Sequence, residues 1–503
     1  MTASPQTQEG AGTRQETGSP GKARRQVLGW LATAGGAAAV VLALAWLYAG
    51  YAPVMNDFEV YYYGGTRVLQ TGEAGISELY APRDGLPFTY PPFAALLFAG
   101  LATMSLGQSG QLFIWAALGG AAVVSAWLAR HYFAMTRWRD AFADWRFRTV
   151  ALAGTGAIVL LGPWRDTFVF GQINIILMGL ILADFALHGK ARAGEIRWPA
   201  GLLIGVAAGI KLTPLAFGLY FLVRRDFKAL GWMAAGFLGS VAVAWAALPQ
   251  ASVTFWTKIL PNTGRIGDPG YVDNLSLKGL LLHVGLPDSG STSLLWLVLA
   301  LALAGLTALV IRWAVAVEEN FVAVSATAVL MLLVSPVSWS HHWVWIAVAL
   351  PSMAFAMHRV PSRTGMMRLG GWMVVSASAV AFYLAPKDLA MAAGAEVWGV
   401  NPQTQWPLMV SSLGVVCGVA LLVYWAAAYR PSRTGIGEHR WASFLQESQL
   451  WSQHGSPLRL VPAQLQHGPR PGHFRRSLGH AGPPRGLLRQ RPLRRDENTT
   501  PGG

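Results

Sequence analysis

The chain has 503 residues, 53% of them hydrophobic and only 13% charged, with a mean hydropathy of +0.38. Apolar runs of membrane-spanning length recur from end to end, which excludes a soluble globular protein and points to an all-α polytopic membrane protein. The net charge of +15 is carried by Arg and Lys in the loops and tails between those runs, so it reads as orientation in the membrane and contact with anionic lipid rather than nucleic-acid binding.

Residues 1–22 are mostly Gly, Ser, Thr, Gln and Glu, so 1–26 is expected to be a disordered cytoplasmic segment. Lys22, Arg24 and Arg25 then precede an apolar run at 27–48. That run is long for the apolar part of a signal peptide, and Pro53 follows the only small-residue site, so it reads as an uncleaved first span with its N-terminus inside. Further apolar runs occupy about 92–106, 109–129, 149–163, 171–188, 200–223, 229–248, 292–312, 320–338, 342–358, 370–386 and 407–428. The total of about twelve transmembrane helices returns the C-terminus to the inside.

In the second half the positive-inside rule is well obeyed. Arg224, Arg225, Arg312, His358, Arg359, Arg363 and Arg430 fall inside, and the loops 249–291, 338–342 and 387–406 fall outside. Simple alternation puts 130–148 outside, although it carries Arg130, Arg137, Arg139, Arg146 and Arg148. Either that loop is an exception or one of the short runs, 92–106 or 149–163, fails to cross. The body of the protein is thus 27–428. Residues 429–503, rich in Arg, Pro, Gly, Gln and His with no apolar period, read as a disordered basic cytoplasmic tail that is dispensable for catalysis. The lone Cys417 lies in an apolar run, which excludes a disulfide framework and a thiolate metal site.

The chemistry is expected in the long outside loops. Asn56 and Asp57 follow the first span, and an aromatic and charged stretch leads from Phe58 to Tyr90-Pro91-Pro92, where the next apolar run begins. A carboxylate this close to hydrocarbon is costly unless it is used, so Asp57 is a functional candidate. The competing reading makes it the cap of a short helix over 58–70. A second patch, 255–280, combines Lys258, Arg265, Asp268, Asp273, Asn274 and Lys278 with several glycines. A third is the Pro-broken turn Ser335-Pro336-Val337-Ser338-Trp339-Ser340-His341-His342. Adjacent histidines without a third ligand do not match zinc spacing. The polar groups at 164–174 and Lys211-Leu212-Thr213-Pro214 read first as hydrogen-bonding glue between helices. No phosphate-binding glycine loop, dinucleotide fingerprint or nucleophile elbow is present, and the paired aspartates of a nucleotide-sugar enzyme are missing.

Taken together, these residues are familiar. Asp57-Phe58 with Tyr62, Gly72, Leu79-Tyr80 and Phe88-Thr89-Tyr90-Pro91-Pro92, then Gly171-Gln172-x-Asn174, Lys211-x-Thr213-Pro214, Asn274-x-Ser276-x-x-Gly279 and Ser335-Pro336-x-Ser338-Trp339-x-His341-His342, resemble glycosyltransferase family 87. These are actinobacterial polyprenol-phosphate-mannose-dependent α-mannosyltransferases of the GT-C fold. The resemblance covers about 50–350 and continues weakly to 428, and the tail has no counterpart in it.

The resemblance implies an acidic catalytic base in the first external loop, which falls on Asp57. It also implies a lipid-phosphate sugar donor, a lipid-anchored glycan acceptor, no cofactor or required metal, and inversion at the sugar carbon. A carboxylate that takes the acceptor proton suits such a transfer, and the leaving phosphate needs positive or hydrogen-bonding groups. His341 and His342 are the candidates for that role, with Lys278 and Arg265 behind them. Asn274 is counted with the substrate-binding group, and Tyr62 and Tyr90 either line the sugar subsite or anchor the loop. A twelve-span transporter or lipid flippase is the alternative from another class, with Lys211 as its coupling charge. Against it stand the absence of internal repeats and the clustering of polar groups at the outside ends of spans.

Overall fold

The computed structural model describes residues 20–70, 78–81, 85–135, 137–262, 266–359, 365–396 and 405–431. The chain divides into two units, Met1–Ala442 and Ser443–Gly503, and every described residue belongs to the first. Of the segments expected to be disordered, 1–19 and 432–503 lie outside the described residues, whereas 20–26 begin the helix Pro20–Gly50.

Among the described residues all regular elements are helical, and the one strand-like pairing is an isolated bridge between Asn274 and Trp339. Seven helices among the described residues are long and apolar enough to cross a membrane: Arg24–Gly50, Leu106–Tyr132, Asn174–Arg192, Phe227–Ala247, Gly290–Ala316, Gly365–Leu384 and Trp406–Tyr429. Trp145–Leu160 and Gly162–Phe170 become an eighth if counted as one span bent by 72°. Most of these helices leave large apolar side chains exposed, such as Leu42, Trp115, Leu238 and Leu301, as expected where lipid is the solvent. The core instead lies along the helix Asn320–Val334, which is buried along nearly its whole length.

Contacts between helices fix their directions. Gly29 packs against Trp145, Gly36 against Thr149 and Gly156 against Ala39, so the first helix and Trp145–Leu160 run parallel. Arg148 lies over the Trp30 ring at 5.8 Å. The arginine-rich stretch 130–148 therefore sits at the same end of the bundle as Arg24 and Arg25, not at the opposite end as simple alternation of the runs has it. The reason lies in the run 92–106. Its helix, Pro92–Ala102, has 11 residues, about 16 Å long against about 30 Å of hydrocarbon. It starts and ends near the Asn56–Leu69 helix, whose Tyr62 hydroxyl donates to the Met104 carbonyl at 3.0 Å.

The run 200–223 is broken at Lys211 and turns back. Asp184, buried in the Asn174–Arg192 helix, accepts from the Gly201 and Ile204 amides at 2.9 and 3.1 Å, and so caps the helix Leu202–Ile210. The chain climbs to Lys211, then returns through Thr213–Val223 with Phe217 and Phe221 against Phe185. It arrives at Asp226, 3.7 Å from His188. Lys211 is the tip of this hairpin. The same end of the bundle carries the helices Asn56–Leu69 and Gly162–Phe170, the turn Ser340–Trp345, the loop before Leu277–His283 and the short helix Pro386–Ala392.

Candidate active site

Asp57 lies in the first turn of Asn56–Leu69 and does not cap it: the residue before the helix, Met55, has a left-handed backbone and makes no side-chain cap. The helix start is fixed instead by the Val54 and Met55 amides, which both donate to the Val169 carbonyl at 3.0 and 2.8 Å. The helix Gly162–Phe170 ends beside it at Gly171, with φ 68°. A side chain there would strain the backbone and bring a Cβ to 2.6 Å from Phe58 Cβ, so only glycine lets the two helices meet. This delivers Gln172 to Asp57.

From Gln172 a continuous polar chain runs across the site. Gln172 Oε1 accepts from the Tyr61 hydroxyl and from Asn174 Nδ2, both at 3.1 Å, which leaves its amide to donate to the Asp57 carboxylate. Asn174 Nδ2 also donates to the His341 carbonyl at 3.1 Å, and its Oδ1 accepts from Lys211 Nζ at 3.1 Å. Lys211 Nζ lies 2.9 Å from His342 Nε2. An ammonium has only protons to offer, so His342 Nε2 is the acceptor and the ring is neutral. Two of the three ammonium protons are thus committed. Tyr90, whose hydroxyl is 3.1 Å from that of Tyr61, places its ring 5.8 Å from Nζ.

Burial raises the Asp57 carboxyl to about 6. The Gln172 hydrogen bond and the Lys211 charge oppose that shift, and Asp166 adds to it. At neutral pH the group is an ionised base with a useful proton affinity.

Beside Lys211 opens a small pocket. Its polar side is Asn174, Lys211, Thr213, Ser335, Ser338 and His342; its other wall is apolar, with Leu177, Ile181, Met331, Leu332 and Trp345. The arrangement suits a ligand with an anionic head and a hydrocarbon body, and Asp57, which does not line the pocket, is joined to it through Gln172 and Asn174. Among the described residues no three His, Cys, Asp or Glu side chains are grouped as a metal site requires.

The glycosyltransferase family 87 model matches residues 88–336, a span that begins after Asp57 and ends before His341. The chain is 34% identical over 347 residues to the polyprenol-phosphate-mannose-dependent alpha-(1-2)-phosphatidylinositol mannoside mannosyltransferase of Mycolicibacterium smegmatis, covering 63% of this chain and 74% of that protein. The chain belongs to glycosyltransferase family 87. A second M. smegmatis relative of this family 87 enzyme, the corresponding phosphatidylinositol pentamannoside mannosyltransferase, is 33% identical over 62% of this chain and 72% of its own. The Mycobacterium tuberculosis phosphatidylinositol mannoside mannosyltransferase is 32% identical over 61% and 72%. No solved structure matches the chain. The protein is therefore a membrane glycosyltransferase.

Within this family 87 enzyme the sequence-derived candidates separate. Asp57, Tyr90, His341 and His342 come together at the polar chain. His341 takes part through its backbone carbonyl, and its ring is buried with Nδ1 unpartnered. Asn274 is a structural clamp: its amide donates to the Pro269 and Pro336 carbonyls at 2.8 and 3.1 Å, and its oxygen accepts from the Ser338 amide at 2.9 Å. Both amide protons and the oxygen of Asn274 are engaged by backbone, tying its own loop at Pro269 to the 335–340 turn. Tyr62 anchors the chain at Met104. Lys278 pairs with Asp288 at 3.0 Å and does not line the pocket, and Arg265 lies outside the described residues, as does Gly72 of the family pattern. The residues that sequence reasoning assigned to interhelical glue, Gln172, Asn174 and Lys211, form the centre of the site. The available signal was a lysine interrupting an apolar run, which hydrocarbon tolerates poorly without a use.

Proposed function

We propose that the enzyme transfers mannose from polyprenyl-phosphate-mannose to a lipid-anchored glycan of the phosphatidylinositol mannoside or lipomannan type, with inversion and without a metal. The observation that carries this reading is the chain from Asp57 through Gln172 to Asn174, Lys211 and His342, the last three of which line a pocket with an apolar wall. The names of the relatives supply the donor and acceptor classes.

In this mechanism the donor's isoprenoid chain lies along Leu177, Ile181, Met331 and Leu332, and its phosphate meets the remaining Lys211 proton. Asp57 takes the proton of the acceptor hydroxyl as that oxygen attacks the anomeric carbon. The carbon–oxygen bond to phosphate breaks with its electron pair on the phosphate oxygen, so polyprenyl phosphate leaves with one more negative charge. Lys211, with Asn174 and His342 fixing its direction, answers that developing charge. Lys278 and Arg265 are assigned no contact in this mechanism.

The enzyme adopts a GT-C architecture with its site end extracytoplasmic and both termini cytoplasmic. The arginines of 130–148 support this orientation, since they join Arg24 and Arg25 at the opposite end. Of the twelve apolar runs, 92–106 and 200–223 then do not cross. Removing two runs keeps the count even, so both termini stay on one side.

The test is transfer of radiolabelled mannose from synthetic polyprenyl-phosphate-mannose to membrane glycolipid by purified wild type and Asp57→Asn. Loss of turnover by about two or more orders of magnitude in the mutant, with donor binding kept, is expected for a positioned base. Near-wild-type turnover in the mutant would remove Asp57 from the chemistry. Undiminished transfer in the presence of a chelator is the expected outcome for metal independence.

A further inference from the structure

Next to the site lies a second buried group of charges that the transfer mechanism does not use. Ser340, which immediately precedes the two histidines, points its hydroxyl at two carboxylates: Oδ2 of Asp166 and, at 3.0 Å, Oδ2 of Asp273. All three residues are buried, at 7%, 5% and 2% relative exposure for Asp166, Asp273 and Ser340. Lys387, from the helix Pro386–Ala392, reaches Asp166 Oδ2 at 3.3 Å.

A serine hydroxyl carries one proton and cannot donate to two carboxylates at once. If it donates to Asp166, which also accepts from Lys387, the Asp273 oxygen faces a lone pair unless it brings a proton of its own. The count of charges agrees. Asp388, beside Lys387, is drawn toward Arg165 at 3.6 Å, which leaves two buried carboxylates facing one ammonium. The other oxygen of Asp273, Oδ1, has no hydrogen-bond partner, a situation far less costly for a neutral acid than for a carboxylate.

We infer that Asp166, Ser340 and Asp273 share one buried proton, carried by Asp273, and that this neutralised pair, latched by Lys387, positions the Ser340–Trp345 turn that presents His342 to Lys211. The linkage to the site is direct. The helix that bears Asp166 also holds the far end of the turn, where Trp164 Nε1 donates to the Val344 carbonyl at 3.0 Å. Burial raises the Asp273 carboxyl, with the push of Asp166 and against the pull of Lys387 and of the hydrogen bonds from Ser340. Burial works against the charge on Lys387, and the carboxylates of Asp166 and Asp388 oppose that effect. Tyr271 from the same loop and His341 from the turn complete the titratable surroundings, and neither supplies a positive charge: burial and the neighbouring lysines keep the His341 ring neutral. Ionisation of Asp273 leaves an uncompensated negative charge under the turn, which must then shift and carry His342 away from Lys211.

The inference rests on the proposed donor site for its catalytic consequence, but its proton can be tested apart from it. The full-length protein in detergent is compared with Asp273→Asn, Asp273→Ala and Asp166→Asn. Mannose transfer is followed as kcat and KM against pH, and the thermal midpoint is followed over the same range. The side-chain amide introduced by Asp273→Asn can donate to Ser340 as the neutral acid does, so that variant restores turnover to within about threefold of wild type near pH 6.5, whereas Asp273→Ala and Asp166→Asn each lose at least tenfold. Wild type also loses activity on the alkaline side, and Asp273→Asn lacks that limb.

The thermal midpoint has its own sign. A carboxyl whose folded pKa is raised stabilises the fold fully below the unfolded value near 4 and loses that contribution as pH rises through the folded value. Wild type therefore loses thermal stability over that interval, and Asp273→Asn loses less. Superimposable pH profiles for wild type and Asp273→Asn would overturn the inference. So would an Asp273→Asn protein as impaired as Asp166→Asn, or one that fails to fold. If wild type transfers no mannose at any pH, the donor assignment fails, while the thermal profiles still decide where the proton is.

Discussion

Replacing Lys211 by methionine tests the donor site most directly, because it keeps the length and the apolar stem of the side chain and removes only the ammonium. Two of its protons are held by Asn174 Oδ1 at 3.1 Å and His342 Nε2 at 2.9 Å, so one remains for a ligand. A hydrogen bond to a charged group is worth about 1.5–3 kcal/mol. At 1.4 kcal/mol per factor of ten, that is a loss of about 10- to 150-fold in kcat/KM for the donor. Because the leaving phosphate gains charge as the bond breaks, part of the loss falls on kcat as well as on KM. The assay is a donor titration with polyprenyl-phosphate-mannose at saturating acceptor, alongside direct binding of polyprenyl phosphate to the same protein. A Lys211→Met enzyme within threefold of wild type in kcat/KM, with unchanged polyprenyl phosphate binding, would refute the placement of the donor phosphate.

Two further outcomes follow from the same geometry. The Asp57 carboxyl, raised to about 6 by burial, must be ionised to accept a proton, so kcat/KM should rise with pH through about 6, on the acid side of the loss assigned to Asp273. An acid limb centred near 4 instead would mean that Asp57 is solvated in the free enzyme. Asn274→Ala removes three hydrogen bonds and leaves the Ser338 amide buried without a partner. It should cost about 2–4 kcal/mol and lower the thermal midpoint in detergent, with turnover lost through disorder of the 335–340 turn. An unchanged midpoint would show that the clamp is not needed.

Much of this protein is legible in its sequence because hydrocarbon is an unforgiving solvent. It forces long apolar helices and drives most arginines out of them, and it makes any carboxylate or lysine near the membrane conspicuous. On that basis the all-helical membrane architecture, the candidacy of Asp57 and the His341-His342 turn follow from residue order alone. Hydropathy does not report whether an apolar run crosses or turns back. The Pro92–Ala102 helix and the hairpin broken at Lys211 are as apolar as true spans, and their paths are decided by tertiary contacts: Tyr62 with Met104, and Asp184 as cap for Leu202–Ile210. Nor does residue order separate a clamp from a ligand. Asn274 and Asn174 look alike in sequence. Asn274 is engaged by backbone through both amide protons and its oxygen, whereas Asn174 Oδ1 holds a lysine that lines a pocket. Which polar groups are exhausted and which are left to act depends on the neighbours that the fold brings to them, and those neighbours come from segments far apart in the chain.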